Sequence, residues 1–308
     1  MHKYILRRLL LMLPVIIGVM FIIFTLMYIT PGDPASMILG EVARPQDVAA
    51  LRAEMGLDDP FLVQFGAFVT RVLRFDLGTS FSTKRPVFDE IKDRFPNTIL
   101  LASLTMVVAV IIGIPLGILC ATKQYSIFDN IATVLGLTAY SIPNFWLGLM
   151  LILLFSVALG LLPATGFDGP RFWVLPVCTL GFGQAGMIMR FTRSSMLEVI
   201  RQDYIRTARA KGQTPSTVII KHALKNALIP VITVVGLSFG FLLGGAILTE
   251  TVFSIPGIGN FMVISIRARD FPIIQGGVLL ISILFSFVNL FVDILYAYVD
   301  PRIRSQYK

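Results

Sequence analysis

Six long apolar stretches constrain this chain more than any other feature. They cover about 9–29, 98–121, 131–157, 173–190, 228–252 and 273–297. Each falls near the roughly 17–25 residues that a helix needs to cross a bilayer. The chain is 308 residues long, 56% hydrophobic and 14% charged. It has too little polar surface to coat a water-soluble globule, whose charged fraction is about 25%. The expected fold is therefore all-α, a polytopic membrane protein with six transmembrane helices. The fourth stretch has the weakest helix signal, because Pro176, Gly181, Gly183 and Gly186 lower its propensity. The first resembles a secretory signal, with Lys3, Arg7 and Arg8 ahead of an apolar run. That run, Leu9 to Ile29, is longer than the roughly 7–15 residues of a signal core and has no small-residue cleavage site after it. A retained helix is expected.

Charge then sets the topology. If both termini are cytoplasmic, the termini and inner loops hold Lys3, Arg7, Arg8, Lys123, eight cations between Arg190 and Lys225, and Arg302, Arg304 and Lys308. The short outer loops hold only Arg171, Arg267 and Arg269. This excess of inner cations fits the positive-inside rule. It also accounts for the net charge of +8 without invoking nucleic acid.

Three units follow: 1–30 as the cytoplasmic N-terminus and first span, 31–97 as an extracytoplasmic helical cap, and 98–308 as a five-helix core. In the cap, a helix from Asp47 to Met55 ends at Gly56. A second starts after Asp59-Pro60 and aligns Phe61, Phe65, Phe68 and Val72. A third starts at Pro86 and stops at Pro96. Their apolar stripe is expected to cover the outer ends of the bundle, and it could also help to receive a soluble partner.

Between spans four and five, about 190–227, lies a cytoplasmic elbow. Eight Lys/Arg are offset there only by Glu198 and Asp203. A short helix from Asp203 is stopped by Gly212, and a new one is started by a Thr214 cap with Pro215 at its first position. The shape suits something that is gripped from outside.

Chemistry within the chain is sparse. It has no P-loop pattern, no G-x-S-x-G and no H-E-x-x-H, and its two histidines are His2 and His222. Gly181-Phe-Gly-Gln-Ala-Gly186 matches a dinucleotide pattern but lies inside an apolar span, so its glycines serve helix packing. Cys120 and Cys178 fall in apolar runs without metal-ligand spacing. Gly236, Gly240 and Gly244 form a small-residue stripe that either packs statically against another helix or slides during transport. Gly113 and Gly117 repeat it more weakly. Pro143 interrupts span three beside Asn144, as a kink or as part of a pathway lining. Glu250, near the outer end of span five and expected to be partly hydrated, and Asp293, inside span six near Asn289, need hydrogen bonds, an ion pair or cargo.

These residues resemble the transmembrane permease subunits of bacterial ABC importers, in the dipeptide, oligopeptide and nickel branch. The resemblance runs nearly the full chain: Pro31-Gly-Asp-Pro34, Gly56-Leu-Asp-Asp-Pro60, Asp76-Leu-Gly-Thr-Ser80, Tyr204-Ile-Arg-Thr-Ala-Arg-Ala-Lys-Gly212, Glu250-Thr-Val-Phe-Ser-Ile-Pro-Gly257 and Asp300-Pro-Arg302. The importers' cytoplasmic signature reads Glu-Ala-Ala, three residues, Gly, then Ile-x-Leu-Pro. Aligned on Gly212, this chain has Arg206, Thr207 and Ala208 in place of Glu-Ala-Ala, and His222, Leu224 and Lys225 at the later positions.

The resemblance implies a subunit without its own nucleotide site or cofactor, in the bacterial inner membrane. It implies a second homologous permease, two ATPase subunits carrying ATP and Mg, and an extracytoplasmic substrate-binding protein. Thr207, Ala208, Ala210, Gly212, His222 and Leu224 would be the ATPase-coupling residues. Pro143, Asn144, Gly236, Gly240, Gly244, Glu250 and Asp293 remain candidates for the pathway or for packing. Cargo would be di- or oligopeptides, with glutathione, nickel complexes or small sugars as the other readings. A membrane enzyme is disfavoured by the missing motifs. A self-sufficient secondary transporter is disfavoured by the lack of an inverted repeat and the few buried charges.

Overall fold

A computed structural model of the chain describes residues 2–40 and 43–299. Helix α1 (His2–Ile29) is the first span. The cap holds α2 (Pro34–Leu39), α3 (Pro45–Glu54) and α4 (Phe61–Leu73). Span two is α5 (Val87–Thr122), and span three comprises α6 (Ile127–Ser141) and α7 (Asn144–Leu151), the latter running into a π-turn at Ile152–Ala158. Span four is α8 (Pro170–Ile200). Next come α9 (Asp203–Ala210) and α10 (Pro215–Thr217), a second π-turn at Val218–Leu224, and α11 (Lys225–Gly245). The chain ends in α12 (Ile247–Val252), α13 (Ile258–Arg267) and α14 (Phe271–Val299). The strand-like pairing among the described residues is an isolated bridge between Thr79 and Pro86.

Five helices are long and apolar enough to cross a membrane, and the α6–α7 pair, bent by 99°, brings the count to six when it is taken as one broken span. The bend falls at Pro143, which has no N–H to continue the α6 ladder. Span four, the weakest by composition, is the central helix. Leu175, Leu180, Ala185 and Ile188 of α8 are buried in one core with Leu101, Met106 and Ala109 of α5 and Val231 and Leu242 of α11. Its glycines explain both facts. A Cβ at Gly186 would meet the Gly136 carbonyl at 2.5 Å, and one at Gly113 of α5 would meet the Ala185 carbonyl at 2.8 Å. Small residues on either side of each contact, Gly186 of α8 with Gly136 of α6 and Gly113 of α5, let two other helices approach its backbone.

Two expected boundaries are corrected. The third cap helix does not stop at Pro96: α5 runs through it, so cap and span two are one rod. Pro96 is exposed, and the carbonyl that it leaves without an N–H partner belongs to exposed Lys92, so the break costs little there. The elbow is also shorter than 190–227. Helix α8 continues to Ile200, and the helix restarting at Pro215 runs on into span five.

Two helices escaped the sequence reading. Helix α2 is six residues long, capped by Asp33 through the Ser36 N–H. Helix α13 lies in the connection before α14. The α4 stripe does cover the bundle, with Phe68 packed against Met20 of α1 and Leu279 of α14.

Candidate functional site

Eight residues are too few for a helix to persist alone in water, so α9 depends on its neighbours. Ile205 and Ala208 are buried against Val218, Ala223 and Ala227 at the start of span five, Met196 of α8 and Ala121 of α5. Burying the Ile205 side chain supplies about 1.5–3 kcal/mol. The helix ends in a paired cap: Gly212 N–H donates to Arg209 O at 2.9 Å, and Gln213 N–H to Ala208 O at 3.4 Å. That geometry puts Gly212 at φ +74, where a Cβ-bearing residue is strained. Thr214 Oγ1 then accepts the Thr217 N–H as N-cap, with Pro215 at the first helical position.

The two arms of the elbow are also pinned to each other. Asn226 donates to the Tyr204 hydroxyl at 2.8 Å, and His222 Nε2 lies 2.6 Å from Gln213 Oε1. Ser195 of α8 donates to the Ala227 carbonyl at 2.8 Å, tying spans four and five at the same level. The outward face displays Tyr204, Arg206, Thr207, Arg209, Ala210 and Lys211. Of the six coupling candidates, Thr207, Ala210 and Gly212 are exposed, His222 and Leu224 are half-buried, and Ala208 faces inward. The small side chain of Ala208 is what lets α9 lie close to span five.

Beside the elbow is an ion pair that the sequence reading missed. Arg193 of α8 grips buried Asp129 of α6 through two bonds of 2.6 and 2.7 Å. Asp129 also accepts the Tyr125 N–H, while Ser126 caps α6 through the Asp129 N–H. The Ser126-x-x-Asp129 spacing is a capping-box signature and was the available signal. Asp293 pairs with Arg8 of α1 at 2.9 Å, so its partner is an ion within the chain. One turn earlier, Asn289 Oδ1 is buried without a hydrogen bond.

The glycine stripe packs on span six. A Cβ at Gly236 would overlap Val292, one at Gly240 would meet Phe285 at 3.0 Å, and one at Gly244 would meet Ile281 at 3.0 Å. Pro143 and Asn144 are exposed at the α6–α7 bend.

Glu250 is not partly hydrated as its place in the sequence suggested: it is 0% exposed. Its Oε1 accepts the Thr98 hydroxyl at 2.7 Å and its Oε2 the Asn260 N–H at 3.0 Å. The Gly259 N–H also reaches this carboxyl, and Thr98 Oγ1 accepts the Ile258 N–H at 3.0 Å. Residues 258–260 open α13, so Thr98 and Glu250 cap it from two other helices, with the positive end of its dipole against the carboxylate. Any Cβ at Gly257 would strike the carboxyl, which explains that glycine in the motif.

On the opposite side of α13, Asp270 gathers the cap hairpin. It accepts the Ser80 hydroxyl at 2.5 Å and the Phe81 and Ser82 N–H groups at 3.1 Å each. Asp76 accepts the Gly78 N–H at 2.9 Å, so the Asp76 and Ser80 positions of the quoted motif shape a turn that docks on the start of span six. The Asp300-Pro-Arg302 motif and the other C-terminal cations lie outside the described residues.

Comparison with known proteins places this architecture. Residues 113–305 match the family described as "Binding-protein-dependent transport system inner membrane component", and residues 1–102 match its N-terminal companion. The dipeptide transport system permease protein DppB of Alkalihalophilus pseudofirmus is 46% identical, over 99% of this chain and 100% of its own length. The glutathione transport system permease protein GsiC of Salmonella choleraesuis is 45% identical, over 99% of each chain. A chain of the inward-facing MetNI methionine ABC transporter shares the fold, with a TM-score of 0.55 at 20% identity over 68% of this chain and 96% of that one. The chain belongs to the inner-membrane permeases of binding-protein-dependent ABC importers, in the dipeptide branch.

Proposed function

We propose that this family member forms, with a second homologous permease, the membrane pathway of an ATP-driven importer for di- or oligopeptides. Two ATPase subunits, which bind ATP and Mg, seat the α9 elbows at the cytoplasmic face, and both termini lie on that side. A binding protein delivers cargo at the cap face.

The observation that carries this reading is the joint burial of α9 with residues of spans two, four and five. A push on the exposed face of α9 reaches the inner ends of three spans as one packed body, because close-packed interiors transmit displacement rather than absorb it. The bound nucleotide state of the ATPases thereby sets whether the pathway faces out or in.

Asn144 fits a place along that pathway. Its amide is exposed at a mid-span bend and makes no hydrogen bond among the described residues. Hydrocarbon would leave it unsatisfied, so this face meets water or a second permease. The glycine stripe, by contrast, is read as packing between spans five and six. The relatives named for dipeptide and glutathione transport support a short-peptide cargo, since glutathione is itself a tripeptide derivative. Nickel complexes and sugars gain no support from them.

Gly212→Val tests the coupling role. The position has open space around it, so the variant perturbs only the left-handed backbone. The chain should still insert and assemble, while peptide uptake falls more than ATP hydrolysis does. Unchanged uptake per ATP hydrolysed would remove the elbow from the mechanism.

A further inference from the structure

Helix α4 carries three distinct faces. Phe61, Phe65 and Phe68 pack on Phe21, Phe24 and Tyr28 of α1, with ring centroids 5.1–5.9 Å apart. Gln64, Ala67 and Arg71 line a half-open cavity of about 1010 Å³ between α4, the rest of the cap and the outer ends of α1 and α14. Across that cavity are Asp33 and Arg52, an ion pair at 2.7 Å, and Asp76. Burial pushes the Asp33 carboxyl up, but hydrogen bonds from Ser36 and the Arg52 charge outweigh it and hold it below the usual carboxylate range. The third face is apolar and bare. Leu62 and Leu73 are each 73% exposed, and they lie on one stripe with Gly66 and half-buried Val69. Just beyond the helix, Phe75 is 85% exposed with φ +60, a strained conformation for a bulky residue that gains no burial here.

The depth of that bare stripe follows from its neighbour. Counted from Leu9, about 30 Å of helix ends near Ile29, so Phe21 to Tyr28 lie in the outer part of the bilayer. The α4 rings rest on those residues, and Phe68 reaches Met20 and Leu279 below them. The exposed Ile22, Leu26 and Ile29 of α1 continue the apolar surface alongside. Arg74, which has no ion pair among the described residues, lies at the end of the helix beside the stripe, where a headgroup phosphate would meet it.

We infer that α4 is an in-plane helix of the outer leaflet: its Leu62–Leu73 stripe and Phe75 enter the lipid, and its Gln64–Arg71 face floors a water-filled cap cavity. The partner of this surface is the bilayer itself, as for amphipathic helices whose apolar face sinks to the boundary of headgroups and acyl chains. The cap is then partly embedded, and α4 separates its aqueous interior from lipid.

Tryptophan placed by Leu62→Trp, Leu73→Trp or Ala67→Trp in the full chain, reconstituted in phosphatidylcholine liposomes brominated near the headgroup end of the acyl chains, reads this directly. After the signal of Trp146 and Trp173 is subtracted, positions 62 and 73 should be quenched several-fold more than position 67, and aqueous iodide should show the reverse order. Equal quenching at all three positions, or iodide reaching 62 and 73 as readily as 67, would overturn the inference. So would protection of 62 and 73 from both quenchers, which would mean that protein covers the stripe.

Discussion

Replacing Glu250 by alanine should release the start of α13. The carboxylate accepts the Asn260 N–H and the Thr98 hydroxyl in a site closed to solvent. Alanine leaves the Asn260 N–H and the Thr98 hydroxyl without their acceptor, at about 1–3 kcal/mol each. It also removes a negative charge from the positive end of the helix, worth about 1 kcal/mol. The combined loss is about 4 kcal/mol, most of it local to residues 257–261. Glu250→Gln keeps the shape and one acceptor oxygen, and loses mainly the charge, about 1 kcal/mol. Hydrogen–deuterium exchange of the purified chain, followed at the amides of 258–260, separates these. At 1.4 kcal/mol per tenfold, the alanine variant should open roughly a thousandfold more often and the glutamine variant less than about tenfold. Wild-type protection at 258–260 in the alanine variant would refute the capping account. Equal loss in both variants would refute the division between hydrogen bonds and charge.

Two further outcomes follow from the packing. Arg193→Ala should destabilise the detergent-solubilised chain by about 3 kcal/mol, because it strands buried Asp129. The Asp129→Ala/Arg193→Ala double variant should cost less than the sum of the two singles in thermal unfolding, and strict additivity would refute the pairing. Gly236→Ala should cost about 1–3 kcal/mol through overlap with Val292, and Val292→Ala should restore most of it. Gly18→Ala, with open space around it, should be silent in the same assay.

What the sequence revealed and what it hid divide along contact range. The α9 elbow was legible because its signals are local: Gly212 as a left-handed stop, then Thr214-Pro215 as a start. The glycine stripe at 236, 240 and 244 was legible as a pattern, but nothing local says that span six is what it meets. Pro143 announced a break in span three, while the 99° bend depends on what α7 packs against. Glu250 was misjudged for the same reason. Its oxygens serve α13, a helix without a local start signal, and Thr98, which completes the cap, lies 152 residues away. The α8 glycines count against a helix in isolation and for one in the centre of a bundle, so composition misranked the most enclosed span. Proline at 96 pointed to a stop, yet at an exposed position a long helix tolerates it.

We propose α9 as the place where the ATPases push. In an assembled transporter bearing Ala210→Cys, an exposed site clear of the elbow's own core, a short thiol cross-linker should join this chain to an ATPase subunit in both nucleotide-free and ATP-trapped states. No adduct in either state, with the cysteine freely labelled by an aqueous maleimide throughout, would contradict it.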